Sequence, residues 1–466
     1  MNKILTQIND VMYTYVLIIL LVGVGIYFTI RTRCVQLRLF KDAIRSLLEK
    51  ADTGQDGTKK VSSFQALMIS TASRVGTGNI AGIATAIAAG GPGAVFWMWL
   101  MAVIGGASAF VESTLAQIYK VKEGNQFRGG PSYYMEKALG KRWLGVLFSV
   151  LLIICFAYGF NGLQAFNISS SMEYYIEDYS NTIYPVILGL ILAVATAAVI
   201  WGGVHRIGFI TSVLVPVMAT VYILIGIVTM ILHIRELPHV FAMILENAFD
   251  FQAMTGGLAG SAVVIGIKRG LFSNEAGMGS APNASASAEV DHPVKQGLVQ
   301  VISVFIDTLL ICSSTAMMLF VSGVEGIPEV LDGIPFVQAA ISANVGNWGI
   351  HFITFSIFAF AFSSLVGNYY YAESNILFIK NNKKLLFFFR VTCIIAVFLG
   401  TQADFSLMWN IADITMGCMA IVNIAVIFLL GGIVLKTLDN YETQKKEGRS
   451  PKFKGSDIGL SDTIWK

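Results

Sequence analysis

SRVGTGNIAG, residues 73–82, decides how this chain is read. It lies inside an apolar run over 61–89 and places an arginine, three glycines, a threonine and an asparagine where a helix would otherwise continue. Glycine at this density weakens a helix and releases backbone groups from it. In hydrocarbon such groups persist only where protein buries them or a cavity hydrates them. The stretch therefore predicts a discontinuous helix. Glycines also let membrane helices pack closely, and AGIATAIAAGG over 81–91 fits that use. Close packing alone does not call for Arg74, Thr77 and Asn79.

The run that holds this break is one of many. The chain has 466 residues, 55% of them hydrophobic and 13% charged, with a mean hydropathy of +0.68, whereas soluble domains carry about 25% charged residues. A water-soluble globule is excluded, and the chain reads as an all-α polytopic protein of the cell membrane, with the lipid bilayer as its solvent. Apolar runs of roughly 20 residues, each enough to cross a bilayer core, fall at 11–30, 61–89, 93–119, 143–170, 183–201, 207–234, 241–267, 298–322, 351–379, 385–400 and 405–435, eleven in all. The first follows only Lys3 and leads into RTRC rather than a cleavage site, so it reads as a retained helix. Residues 31–50, with Arg31, Arg33, Arg38, Lys41 and Arg45 at helical spacing, read as an amphipathic helix on the cytoplasmic surface.

Basic segments at 31–50, 120–142, 205–206, 268–269, 380–384 and 436–453 all fall on one side if the N-terminus is outside and the C-terminus cytoplasmic, while EYYIEDYS (173–180) is acidic. That asymmetry reports orientation rather than an anionic partner, and no nucleic acid is expected. The tail YETQKKEGRSPKFKGSD reads as solvated and disordered. Five scattered cysteines without a CxxC pair exclude zinc, iron-sulfur and disulfide frameworks, and the five histidines lack metal-ligand spacing.

A second glycine-rich interruption, TGGLAGSA over 255–262, lies in the sixth helix counted from the first break's own. Setting the N-terminal helix aside leaves ten, with a break in the first of each five. Five helices per set make the second set enter from the opposite face, a five-plus-five inverted repeat with its two discontinuous helices at the midplane. The expected divisions are 1–50 for the peripheral and amphipathic helices, 51–235 and 236–436 for the repeats, and 437–466 for the cytoplasmic tail. Freed N–H groups suit a carboxylate, and freed carbonyls suit sodium.

Two long strings, RVGTGNIAGIATAIAAGGPGAVFWMW and RGLFSNEAGMGSAPNASA, resemble the alanine or glycine:cation symporter family, and the likeness extends over nearly the whole chain. The resemblance implies the leucine-transporter type of fold with one extra N-terminal helix. It implies that Ser73, Gly76, Thr77, Gly78 and Asn79 wrap an amino acid, and that Gly256, Gly257 and Gly260 face it from the other broken helix. Gln164 resembles the family's substrate-contacting glutamine, with Asn167 on the same face. Both have a second use, hydrogen bonding between helices. For co-transported sodium, similarity to the wider fold points to the carbonyls of Ala72 and Val75 and the hydroxyls of Ser363 and Ser364, although membrane serines also bond back to their own helix. Many members carry tryptophan before the tyrosines of SSLVGNYYYAESN, where this chain has Asn368; the smaller amide predicts a larger pocket with a donor and an acceptor, and keeps glutamine beside alanine and glycine as a substrate.

Arg74, Glu112, Asp307, Glu373 and Asp413 fall in or near spans, where charges are costly and usually paired or functional. Arg74 is expected in a structural pair with one of these acids, because a bare cation beside a sodium site would oppose cation binding. Glu275, after Lys268 and Arg269, is expected at a cytoplasmic hinge or inner gate. No catalytic motif or nucleotide loop is present, so the chain is not read as an enzyme. The reading is a sodium-coupled symporter importing a small neutral amino acid by alternating access. An amino-acid facilitator or channel without sodium coupling is the alternative.

Overall fold

The computed structural model describes residues 2–49, 61–124, 126–250, 261–327 and 331–465, and their side chains except at 2 and 203–212. The chain is predominantly helical, at 79%. In order, the helices are α1 (Lys3–Arg31) and α2 (Phe40–Leu48), then α3 (Ser63–Arg74), α4 (Ala81–Gly90) and α5 (Gly93–Ile118). A short hairpin, β1 (Val121–Glu123) with β2 (Gln126–Arg128), leads into α6 (Pro131–Leu139) and α7 (Arg142–Ser170). There follow α8 (Tyr184–Ile200), α9 (Gly203–Leu232), α10 (Leu237–Ala248), α11 (Ala262–Asn274) and α12 (Ala281–Ser285). The last five are α13 (Pro293–Phe320), α14 (Gly333–Val345), α15 (Trp348–Ile379), α16 (Lys383–Gly400) and α17 (Phe405–Lys446).

Among the described residues, seven helices are long and apolar enough to cross a membrane: α1, α5, α7, the 213–232 part of α9, α13, α15 and α17. Helices α8 and α14 are apolar but shorter, and α16 carries Lys383, Lys384 and Arg390. The apolar segment expected as one span over 241–267 is divided: α10 stops at Ala248, and α11 begins at Ala262 behind the cap of Ser261, whose hydroxyl accepts from Val264 N–H at 3.3 Å. Helix α14 was not foreseen, because its 13 residues fall short of a span.

Helix starts follow the local chemistry. Ser62 and Gln65 form a reciprocal capping box at α3, and Asp332 caps α14 through the Gly333 N–H. At the centre, α5 packs most extensively against α13 and α11. One π-helical turn interrupts each of α1 (Met12–Leu17), α7 (Ile154–Phe160) and α13 (Ile306–Cys312). Such turns often mark functional positions, and the last two flank the site described below.

Two expectations are corrected. The tail is solvent-exposed along much of its length but docked rather than disordered: Phe453 N–H donates to Asp291 O at 2.9 Å, Trp465 Nε1 donates to Gln117 O at 2.9 Å, and their rings meet at 5.5 Å. Aromatic residues within a basic stretch bury enough apolar area to hold the segment down. Second, Lys268 and Arg269 do not share a side with the basic segments at 31–50 and 436–453. Both reach Asp413 at 2.7 Å, whereas Arg38 pairs with Glu442 at 2.7 Å and Lys445 pairs with Asp42. Residues 413 and 442 are about 43 Å apart along α17 at 1.5 Å per residue. The segments 31–50, 120–142, 380–384 and 436–453 do lie together, as the Trp465–Gln117 bond and Asn381 donating to Glu123 at 2.9 Å attest.

Candidate transport site

The interruption at 73–82 is present. Helix α3 ends at Arg74, residues 77–79 make one 3-10 turn, and α4 resumes at Ala81. Its freed donors have side-chain partners: Gly76 N–H meets Asn79 Oδ1 at 3.1 Å, and Thr77 N–H meets Gln164 Oε1 at 3.1 Å. Its freed carbonyls face α15 and α13. Ser364 Oγ lies 3.0 Å from Ala72 O and 3.4 Å from Val75 O, and Thr315 Oγ1 donates to Asn79 O at 2.6 Å. Glycine at 76 follows from crowding, since a Cβ there would stand 3.0 Å from the Gln164 amide; one at 78 would stand 2.7 Å from the ring of Phe272.

A second interruption separates α11 from α12, in the SNEAGMGS stretch. Glu275, Gly277 and Gly279 adopt φ of 54°, 84° and 89°, a region glycine enters freely and other residues rarely. Gly277 and Gly279 donate their N–H groups to the two carboxylate oxygens of Glu112 at 3.3 and 3.0 Å. Asn423 completes the clamp, donating to Glu112 Oε2 at 2.8 Å and to Gly277 O at 2.9 Å, while Tyr134 OH donates to Asn423 Oδ1 at 2.5 Å.

The two interruptions touch. Ser73 Oγ lies 3.0 Å from Glu275 Oε1 and 2.8 Å from Asn368 Oδ1. Asp307 joins both from the π turn of α13, receiving Asn79 Nδ2 at 2.7 Å, Thr308 Oγ1 at 3.1 Å and the hydroxyl of Ser273. On the side of the Arg269–Asp413 pair, the Trp409 ring packs at a tilt 5.1 Å from Phe272 and lies 4.2 Å from the Arg269 guanidinium. Beyond Phe405 and Phe166, a cavity of about 470 Å³ is lined by Asn167, Ser170, Glu173, Asp332 and Asp404. Burial raises the Glu173 and Asp332 carboxyls above their ordinary range.

Of the residues singled out in the sequence, Ser73, Gly76, Thr77, Gly78, Asn79, Gln164, Asn167, Asn368, Ala72, Val75 and Ser364 come together around the first break. Asn167 donates to Thr77 Oγ1 at 3.2 Å. Ser363 is not brought to Ala72 or Val75; its hydroxyl donates to Phe360 O at 2.8 Å, one turn back along its own helix. Gly256, Gly257 and Gly260 lie outside the described residues. Asn368 is buried with its acceptor beside Ser73 and its donor given to Asn161 Oδ1 at 3.1 Å, so its amide is engaged rather than open. The expected ion pair of Arg74 is replaced: among the described residues no carboxylate oxygen lies within 4.0 Å of it, and Nη1 donates to Gln300 at 3.3 Å. Glu275 is buried within the second break, where its Oε1 meets Ser73 of the first. Phe272, Ser273 and Asn423 were not singled out. The paired glycines of SNEAGMGS were the signal for the first two, and nothing local marks Asn423.

This arrangement offers buried hard-oxygen groups and freed backbone. The family model of the sodium:alanine symporter family matches residues 1–455. The amino-acid carrier protein AlsT of Bacillus subtilis is 46% identical over 98% of this chain and 96% of its own length. The probable sodium/glutamine symporter GlnT of the same organism is 48% identical over 97% of this chain and 94% of its own length. The sodium/alanine symporter AgcS of Methanococcus maripaludis is 36% identical over 96% of this chain and 99% of its own length. The chain is therefore a multi-pass membrane transporter, not an enzyme, and it belongs to the sodium:alanine symporter family.

Proposed function

We propose that this protein imports a small neutral amino acid, alanine or glycine with glutamine as a further substrate, by sodium symport and alternating access. The observation that carries the reading is the meeting of Ser364 Oγ with the Ala72 and Val75 carbonyls at 3.0 and 3.4 Å. Three hard oxygens, two of them freed by the helix break, make a set suited to sodium. Beside it, the Thr77 N–H now held by Gln164 is a donor that a substrate carboxylate would take over, with Ser73, Gly76, Gly78 and Asn79 around it. Asp307, ringed by Asn79, Ser273 and Thr308, supplies a further buried negative charge to balance an incoming cation. Asn368 acts through Ser73, setting the size and polarity of the pocket wall.

The same proposal includes eleven spans in a five-plus-five inverted repeat, with 51–235 and 236–436 as its halves, 1–50 peripheral, 437–466 cytoplasmic and the N-terminus outside. The pairing of one interrupted helix from each half at a shared site supports it. Its decisive test is uptake of radiolabelled alanine, glycine and glutamine into proteoliposomes with and without an inward sodium gradient. Accumulation only with sodium is expected. Flux that follows the amino acid's own gradient regardless of sodium would make the protein a facilitator. Ser364→Ala should raise the sodium concentration for half-maximal uptake roughly five- to tenfold, the weight of one lost oxygen contact.

A further inference from the structure

We infer that Glu275 is the binding residue for the substrate's ammonium group, so that a zwitterionic amino acid is held between the two helix interruptions. The inference rests on the symporter reading and identifies which group selects for the amine.

Four buried carboxylates stand near the interruptions, and three are committed. Both oxygens of Glu112 hold the backbone of the second break, with Asn423 as a third donor. Asp413 is held by Lys268 and Arg269. Asp307 takes the Asn79 amide, and releasing it would undo the brace that Asn79 provides to Gly76 N–H. Glu275 differs in kind. Its partners are two rotatable serine hydroxyls, Ser73 at 3.0 Å and Ser280 at 2.5 Å, while the Arg74 cation that acts on it, as on Glu112 and Asp307, makes no contact within 4.0 Å.

A buried carboxylate with no cation in direct contact gains from one. The Ser73 hydroxyl has a single proton and two acceptors in reach, Glu275 Oε1 and Asn368 Oδ1. Turning that proton toward Asn368 frees an oxygen of Glu275 without moving a heavy atom. The freed oxygen then faces the same residue, Ser73, that opens the first break, where N–H donors suited to a carboxylate lie. An α-amino acid presents its ammonium and carboxylate a few ångströms apart, which matches an acceptor on one interruption and donors on the other. The left-handed backbone of Glu275 belongs to the stretch clamped by Glu112 and Asn423, so the acceptor is held in place before the ligand arrives.

The experiment compares alanine with propionate, which lacks only the amine, as inhibitors of sodium-driven uptake in proteoliposomes. In the wild type, alanine should compete far better than propionate. In Glu275→Gln, alanine should weaken about 10- to 100-fold, the range of one charged hydrogen bond, while propionate holds its affinity, so that the preference collapses. A variant that keeps the wild-type preference for alanine over propionate overturns the assignment. If Glu275→Gln does not fold, Glu275→Asp carries the test: the withdrawn carboxylate should weaken alanine at least tenfold and leave propionate unchanged, and equal weakening of both overturns it. Absence of sodium-driven uptake in the wild type would instead remove the symporter reading on which the inference stands.

Discussion

At the first interruption the Gly76 N–H is taken by Asn79, three residues along in the same motif; at the second, the Gly277 and Gly279 N–H groups go to Glu112, 165 and 167 residues earlier on another helix. The glycine N–H of the first break is braced from within and those of the second from another helix, although each break also has the other kind of partner: Thr77 N–H goes to Gln164, and Ala276 N–H goes to Asn274. A self-braced break keeps its shape while neighbouring helices shift. A borrowed brace ties the break to α5 and α17, so that motion of either is felt in the backbone around Glu275. The two halves of the site are thereby unequal: a fixed side, where Ala72 and Val75 meet Ser364, and a side whose geometry depends on the rest of the helix packing.

Removing each brace tests this difference. Glu112→Ala leaves two buried N–H groups and the Asn423 amide without their acceptor, at about 1–3 kcal/mol each, so a loss of roughly 4 kcal/mol or more is expected. Thermal unfolding of the detergent-solubilised protein should show the largest fall in Tm of any single change at the site, and Glu112→Gln, which restores one acceptor, should recover part of it. Asn79→Ala leaves Gly76 N–H unsatisfied and takes a donor from Asp307, for about 2–3 kcal/mol by the same reckoning. If Asn79→Ala proved as destabilising as Glu112→Ala, the distinction between self-braced and borrowed would fail.

The same contrast accounts for what the sequence revealed. The first break was legible because the residues that interrupt the helix lie within SRVGTGNIAG, where glycine, threonine and asparagine announce themselves locally; its partners Gln164, Thr315, Ser364 and Asp307 come from other helices. The membrane class was legible from apolar run length. Glycine density points to an interruption at 255–262, most of which lies outside the described residues, and gives no sign of the one at 275–280. What matters at 275–280 is positive φ at Gly277 and Gly279, and a carboxylate whose contact with them is a property of tertiary packing. Lys268 and Arg269 read as a cytoplasmic loop because their partner Asp413 is 144 residues from Arg269. The tail read as disordered because composition is blind to two aromatic rings finding a surface.

That tail supplies the smallest and most selective test. It docks on the loop that follows α12, the arm leaving the second break: the His292 ring packs 5.0 Å from Tyr441 and 5.2 Å from Phe453. His292 Nδ1 accepts from Val294 N–H at 3.3 Å, capping α13, and Nε2 faces Asn440 Oδ1 at 3.2 Å, so the hydrogen bonds place the ring proton on Nε2. Burial, aided by the nearby Lys295 cation and opposed by Asn440, lowers its pKa from 6.5 to about 4. Between those values the unfolded chain binds the proton and the folded one does not, so stability rises with pH across that window. The loss should be negligible at pH 7.5 and about 1.4 kcal/mol at pH 5.5. Hydrogen exchange should show 286–292 and 453–465 losing protection on acidification while 73–80 is unchanged, and His292→Gln should flatten the response. Equal loss of protection at both interruptions would mean that the acid-sensitive element is the bundle as a whole, and the borrowed brace would no longer distinguish the second break from the first.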